Sequence, residues 1–492
     1  MKARDLIVAL DQGSSSSRAV LFDLRGRVVA RARRPVKTYR PKPGWAEHDA
    51  AELAGTLEAS LDAVLAGLGP KDRVLAAGLA VQRSTVVFCD RATLKPAAPA
   101  PSWMDGRAVD FVDGLRDRRD EVHRLSGLYA APYYSAPKIR WFLERDAKVR
   151  ALADAGRLLC APVSTFIAAR LTRGEVVSAD PTCAQRTLLM NLDTLAWDPG
   201  LLSLLGLSAD LLPSIRPSSG DWGVIERKGR RFPLLAAVGD QQAAAVGLGA
   251  SSAGEAVVNY GTGAFLLRHT GPRPARAPGL LTSVAATSSA LRGYYLEGTV
   301  HAAGTSFEWL KDNLGLMKDA KDLGAAFKRS KRRVLALPAL GGLGAPRWDY
   351  EAKTAFFGLD ARTTGHDLVR AVAEGLCMLV ADAAAAMAAA GLPIARARVA
   401  GGLSRCDAMM SFQADVLGAV LQRRKEVEAS ALGAAVLAAK AAGVPDADAL
   451  AGARVERTFS AKSDEALRAR RRREWTAFVD STLRLSRGIS LD

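Results

Sequence analysis

The sequence predicts an α/β protein built as two similar halves with a cleft between them. Three observations carry this. The chain has 492 residues, beyond the size at which a single core keeps growing, so two domains are expected. A strand, a glycine-bearing turn and a second strand open each half, as "LIVALDQGSSSSRAVLFD" near the start and "EAVVNYGTGAFLLRHT" at mid-chain. Self-similarity of that kind marks a duplicated fold. Between them "GLGASSAG" supplies a glycine-, alanine- and serine-rich boundary near residues 243–254.

The elements follow in order. Leu6–Leu10, Ala19–Leu24 and Val28–Arg33 are short β-rich runs joined by tight turns, an antiparallel meander. "AAELAGTLEASLDAVLAGLG" repeats apolar residues at three and four and ends on glycine, so it reads as a helix. "RVLAAGLAV" is a buried strand. "PLLAAVGDQQAAAVGLG" reads as a strand, an acidic tip and a small-residue helix. The second half adds an amphipathic helix over about 365–390, then "ARVAGGLSRCDAMMSF" as strand, glycine pair and helix. The small-residue helix "EASALGAAVLAAKAAG" follows, and last comes a basic amphipathic helix with Trp475 and Phe478 turned inward.

Net charge is +17, which raises nucleic acid or a membrane surface as partners. The basic residues are scattered, however, with only short clusters at Lys328–Arg333 and Arg468–Arg473. Aromatics are 6%, and no stripe alternates them with arginine. A solvated basic surface is the simpler reading, and a nucleic-acid binder would show salt-sensitive DNA retention. Cys89, Cys160, Cys183, Cys377 and Cys406 are far apart and odd in number, which fits neither a disulfide framework nor a zinc site. The N-terminal apolar run is too short for a signal peptide. "LVADAAAAMAAAG" carries Asp382 and falls short of a membrane span. A cytoplasmic protein is expected.

No Walker loop, no G-x-G-x-x-G after a strand and no protein-kinase catalytic loop is present. A nucleotide would need another device, and glycine- and hydroxyl-rich hairpin tips can be one: their backbone N–H groups converge on an anion. Gly13–Ser16 and Gly261-Thr262-Gly263 have this character, though either alone also reads as an ordinary turn. As a pair they suit two jaws on one phosphate chain, with Asp11 at the strand tip for Mg²⁺. Asp240 reads either as a helix cap or as a general base for a substrate hydroxyl. Gly401-Gly402 reads either as a tight turn or as a flat floor for a purine ring.

Together these stretches resemble a known family. The opening is similar to the phosphate-binding start of the sugar kinase, actin and Hsp70 superfamily, and more narrowly to the FGGY carbohydrate kinases, among them the glycerol kinases. "PKPGWAEHD", "VQRSTVVFCDRAT", "SWMDGR", "PYYSAPKIRWFLE", "CAQRTLLMNLDTLAWD", "AVGDQQAAAVG", "NYGTGAFLL", "EGTVHAAGTSFEWLKD", "GGLGAPRWD", "TAFFGLDARTT" and "SALGAAVLAA" match in order over almost the whole chain.

The resemblance implies two actin-like (ribonuclease H-like) ATPase domains, at 1–246 and 250–492, with ATP and a polyol in the cleft. It implies Asp240 as base and Asp11, with Asp240, at the metal. Gly13, Ser14, Ser15 and Arg18 would form the first phosphate turn, and Gly261 and Thr262 the second. Arg83, Ser84, Trp103, Tyr133, Asp240 and Gln241 would line the acceptor pocket, while Gly304, Glu308, Gly402 and Cys406 would hold the nucleotide. Three departures stand out. Ser84 replaces a glutamate that accepts hydrogen bonds from glycerol. Cys406 stands where an asparagine meets adenine. "RKGRRF" replaces the loop that binds a sugar bisphosphate regulator in some bacterial relatives.

The expected reaction is therefore γ-phosphoryl transfer from ATP, with Mg²⁺, to a primary hydroxyl. Glycerol is the first acceptor, with a larger polyol or a ketose (tetritol, pentitol, pentulose) as the alternative. A non-catalytic ATP-binding sensor on the same fold is the remaining one. The partner is a small molecule rather than nucleic acid or membrane, and a homo-oligomer is compatible with the sequence.

Overall fold

A computed structural model describes residues 3–319, 321–424, 428–452 and 455–489. The outer ends of the two expected domains, at residues 1 and 492, lie outside the described residues. The first sheet holds β1 (Asp5–Gln12), β2 (Ser16–Asp23), β3 (Val28–Pro35), β4 (Arg73–Val81), β5 (Val224–Arg227) and β6 (Arg230–Gly239), in the order β5-β6-β4-β1-β2-β3. β1, β2 and β3 pair antiparallel, while β4 lies parallel to both β1 and β6.

The second sheet holds β7 (Ala256–Tyr260), β8 (Ala264–Gly271), β9 (Leu281–Val284), β10 (Tyr294–Val300), β11 (Arg396–Gly401), β12 (Val420–Arg424) and β13 (Val455–Phe459), in the order β9-β10-β8-β7-β11-β12-β13. Its core repeats the first: β7, β8 and β10 antiparallel, then β11 and β12 parallel to β7 and to each other. The duplication read from the two glycine turns is a duplication of five strands.

β1 shows why its sequence is a nearly unbroken apolar run. Alternate side chains leave opposite faces of a strand, and here both faces are covered. Leu6, Val8 and Leu10 pack on helix α1 (Ala50–Ala66) through Leu53, Leu57 and Leu61. Ile7 and Ala9 face helices α2 (Asp240–Gly247) and α3 (Ala429–Ala441). α1 starts where Asp49 accepts the N–H groups of Ala51 and Glu52, and stops at Gly67.

α3 belongs by sequence to the C-terminal half, yet Ala431, Leu432 and Ala434 pack on the N-terminal sheet. α2 faces both ways, with Ala243 and Val246 toward the first sheet and Ala245 beside Val257 of the second. α2 and α3 meet backbone to backbone: a Cβ on Gly433 would lie 1.7 Å from the Ala243 carbonyl oxygen, and one on Gly247 2.1 Å from that of Ala429. Gly433→Ala is expected to force the helices apart and cost about 1–3 kcal/mol. Because α2 begins at Asp240, activity should fall further than the melting temperature alone accounts for. Thermal melts read beside turnover check this.

The long helix α4 (Gly365–Ala389) is apolar and long enough to cross a membrane, which the shorter stretch read from the sequence did not suggest. It is a core helix: 72% of its most apolar window is buried. Its Asp382 accepts from Arg347 and from Trp475 of the C-terminal helix α5 (Glu465–Gly488). Trp475 is buried and Phe478 packs beside it, as the periodicity predicted.

Candidate active site

Three strand ends define the place. In register, Gln12 of β1 and Gly239 of β6 both stand opposite Val81 of β4. The loops leaving the carboxyl ends of neighbouring parallel strands form a crevice, the usual ligand position in α/β sheets. Asp11, Gln82, Arg83 and Asp240 all lie at this edge.

The first turn is held from within. Gly13 N–H donates to the Ser16 carbonyl at 3.0 Å, and Ser17 Oγ donates to Gln12 Oε1 at 2.9 Å. The Ser14 hydroxyl donates to Gln82 Oε1 (3.1 Å) and accepts from Trp103 Nε1 (2.8 Å). Its side chain thus ties the phosphate turn to the expected acceptor pocket, which leaves backbone groups for an anion. Ser15 is exposed. Arg18 stands opposite Asp11 in the β1–β2 register, with Nη1 3.4 Å from Asp11 Oδ2 and 3.1 Å from Glu428 Oε2. Glu428, just ahead of α3, was not foreseen.

Asp240 follows Gly239, whose N–H donates to Thr182 Oγ1 at 2.7 Å. Asp240 Oδ1 accepts the Gln241 N–H at 2.7 Å and lies 3.6 Å from Arg83 Nε. Arg83 Nη1 also donates to Gln242 Oε1 at 3.3 Å. Burial pushes the Asp240 carboxyl above its ordinary range, while Arg83 pulls it back. Burial takes Asp11 up to about 7; Arg18 opposes the rise, and Asp240 and Glu428 add to it. Burial lowers Arg83, aided by the nearby charge of Arg186. Arg186 forms a buried pair with Glu297 (Nη2–Oε2 2.5 Å), and neither was singled out from sequence. Gln241 Oε1 is buried and makes no hydrogen bond among the described residues.

Ser84 takes φ of 64°, and its hydroxyl makes no hydrogen bond among the described residues. The Tyr133 hydroxyl meets Tyr350 of the other half. In the second half, Gly261 N–H donates to Gly263 O, Gly304 N–H to Gly261 O and Ala303 N–H to Thr262 O, at 2.9, 3.0 and 3.1 Å. Gly261 and Thr262 are exposed. A Cβ on Gly304 would sit 2.7 Å from Gly261 O, so that glycine is needed for the turn.

The glycine pair separates into two roles. Gly401 takes φ of 91° with its Cβ position 2.1 Å from Tyr260 O, a packing requirement, whereas Gly402 has open space around it. Cys406 is half-buried at the start of helix Asp407–Leu417, and Glu308 is exposed on helix Gly304–Asp312. Neither of these two side chains, nor any hydrogen bond between the two phosphate turns, joins the halves among the described residues.

In "RKGRRF", Arg227 binds Asp62 and Glu58, and Arg230 donates to the carbonyls of Leu68, Gly69 and Asp72. These cations are spent inside the fold.

Family models described as the N-terminal and C-terminal domains of the FGGY family of carbohydrate kinases match residues 6–247 and 256–442. The chain is 41% identical to a glycerol kinase of Thermus brockianus over 96% of its length and 98% of the relative's. It is 39% identical to one of Halorhodospira halophila over 96% of both. The glycerol kinase of Plasmodium falciparum, solved with ADP, superposes with a TM-score of 0.92 at 28% identity over 99% of both chains. A xylulose kinase of Rhodospirillum rubrum shares the fold at TM-score 0.86 and 22% identity, over 98% of this chain and 100% of that one.

Proposed function

Since the chain belongs to the FGGY family of carbohydrate kinases, we propose that it transfers the γ-phosphoryl of ATP to a primary hydroxyl of glycerol. The observation that carries the acceptor side is Gln241 Oε1, a buried acceptor atom without a partner beside Asp240. Such an atom costs free energy until a donor reaches it, and a polyol hydroxyl is a donor of the right kind. Arg83, fixed by Gln242 and Asp240, offers its planar fork to a second hydroxyl. Relatives that are 39% and 41% identical carry the glycerol kinase name, which supports the same acceptor.

The chain's own groups divide the work. Asp240 takes the proton from the attacking hydroxyl; its raised value keeps it a better base than an exposed carboxylate. The Gly13 and Gly261 N–H groups close the two turns, and the backbone N–H groups of Ser14 and Ser15 on one jaw and Thr262 on the other hold phosphate oxygens, while Arg18 balances their charge. Gly402 leaves a flat, open floor for the adenine, with Gly304, Glu308 and Cys406 at its margin.

Asp11 and Asp240 fit a magnesium ion. Burial drives both carboxylates upward and Asp240 adds to the rise at Asp11, and no third acidic, histidine or cysteine side chain joins them into a cluster among the described residues. The remaining oxygen ligands would come from the phosphates and water. Bound there, Mg²⁺ would neutralise charge on the β- and γ-phosphates. All five cysteines are free and four are buried, in keeping with a reducing cytoplasm.

Ser84 favours keeping a second acceptor class in view. A short neutral side chain leaves room for a further carbon and hydroxyl. An ATP-consumption screen over glycerol, erythritol, pentitols and ketoses tests the proposal; highest kcat/KM on glycerol supports it, and no turnover on any polyol or ketose overturns it. Ser84→Glu is expected to lower the glycerol KM roughly tenfold, because a charged hydrogen bond is worth about 1.5–3 kcal/mol, and to impair four- and five-carbon acceptors. The φ of 64° burdens serine and glutamate alike, since both carry a Cβ. Unchanged KM for both acceptor classes would show that residue 84 does not face the substrate.

A further inference from the structure

Lys138 sits in helix Ser135–Arg145 with no exposed surface. Its ammonium donates three hydrogen bonds, all to backbone carbonyls: Ser84 O at 2.9 Å, Ser102 O at 2.8 Å and Tyr133 O at 2.8 Å. The three acceptors come from three separate segments. Each carries a residue of the expected acceptor pocket: Ser84 follows Arg83, Ser102 precedes Trp103, and Tyr133 is itself one. We propose that Lys138 is the positioning residue of the acceptor pocket, a buried cation that clamps these three segments so that Arg83, Trp103 and Tyr133 face one polyol.

This rests on the acceptor pocket proposed above and adds what fixes its shape. Three carbonyl oxygens converging on one point repel each other unless a donor of matching number sits between them. An ammonium has three N–H groups diverging from one nitrogen and no acceptor, whereas the five donors of a guanidinium are spread over a plane. The clamp matters most at Ser84, whose positive φ holds the loop in a sparsely populated conformation. Ser135 Oγ adds a second donor to the same carbonyl at 3.2 Å.

The surroundings show that the cation is built in. Asp105 N–H donates to Ser102 O at 3.1 Å. Its carboxylate accepts from Ala46 N–H and from Arg107, which also binds Glu47 and stacks 3.9 Å from the Trp45 ring centroid. The motifs "PGWAEHD", "WMDGR" and "PYYSAPKIRWF" thus form one wall behind the pocket. The charged and titratable groups around Lys138 are Asp105, Arg107 and Glu47 on that wall and the phenols of Tyr133 and Tyr134. Burial takes the ammonium down to about 7; Asp105 opposes this and Arg107 adds to it. Losing a proton there would leave two donors for three carbonyls.

The test uses the full chain, with steady-state kinetics on glycerol and ATP for the wild type, Lys138→Met and Lys138→Gln. Met fills the volume without a donor, and Gln restores two donors. The glycerol KM should rise tenfold or more in Lys138→Met and less in Lys138→Gln, with kcat and the ATP KM within about threefold of wild type. A glycerol KM within twofold of wild type in Lys138→Met overturns the inference, as does an equal loss toward both substrates, the mark of a general structural defect. Should neither variant fold, the wild type decides: its glycerol KM should climb from pH 6 to pH 9 while its ATP KM stays level, and a level glycerol KM overturns the clamp. A wild type that phosphorylates no polyol would sink the proposed function, whereas an active wild type with an indifferent Lys138→Met sinks this inference alone.

Discussion

Asp240→Asn is expected to leave the protein folded and able to bind ATP while lowering kcat by about 10²–10⁴, the usual worth of a general base. The amide has the same shape, and its oxygen can still accept the Gln241 N–H that Asp240 Oδ1 accepts at 2.7 Å. It cannot accept a proton from a hydroxyl. Arg83 loses its charge partner at 3.6 Å but keeps Gln242, so the acceptor KM should shift by much less than kcat. The pH profile gives a second reading. Burial raises the Asp240 carboxyl, so the wild-type rate should climb with pH through that raised value, and the limb should vanish in the variant. ATP binding by calorimetry beside a rate assay checks both halves. Near-normal turnover in a folded variant would remove Asp240 from the role.

What was legible in the sequence was local. A glycine after a strand, a carboxylate at a strand tip and an aspartate ahead of a small-residue helix each carry their signal within a few residues, and Asp11, Gly13, Gly261 and Asp240 are picked out as candidates that way. Five missed residues share the opposite property. Arg186 meets Glu297 across 111 positions and Arg18 meets Glu428 across 410. Gln242 meets Arg83 across 159, and Lys138 reaches Ser84 across 54. No periodicity encodes a pairing at such range; only the fold creates it. α3 is different, because its signal was present. "ASALGAAVLAAKA" has no polar face until Lys440, and a helix apolar all round is buried on all sides. Taken at face value, that composition points to a helix between two sheets, and α3 does lie on the N-terminal one although the linker at 247–254 assigns it to the other half.

Glu297→Gln is expected to be the most destabilising of the conservative changes, by about 3–5 kcal/mol, the usual loss when one member of a buried ion pair is removed. Glu297 and Arg186 have side chains only 1% and 5% exposed, and Ser283 Oγ donates to the same carboxylate oxygen at 2.5 Å. Glutamine keeps the size and one acceptor, but it strands the Arg186 charge between the two halves. Burial alone would raise the Glu297 carboxyl; Arg186, Arg83 and Ser283 outweigh it and hold the group below its ordinary value. A depressed folded value means the pair stabilises the protein above about pH 4.5 and ceases to do so as pH falls through the folded value. The variant should therefore lose stability at pH 7 and converge on the wild type in acid.

The same change should reach the chemistry. Glu297 pushes the Asp240 carboxyl up and Arg186 pulls it down. Removing the acid leaves the arginine unopposed, so Asp240 becomes a weaker base and the acid limb of the rate profile moves to lower pH with a lower plateau. Arg186→Met combined with Glu297→Leu separates the effects. Replacing both charges by apolar groups of similar volume should recover much of the lost stability while Asp240 returns toward its wild-type titration. A Glu297→Gln protein as stable as wild type at pH 7, with an unmoved acid limb, would show that the pair neither joins the halves nor tunes the base.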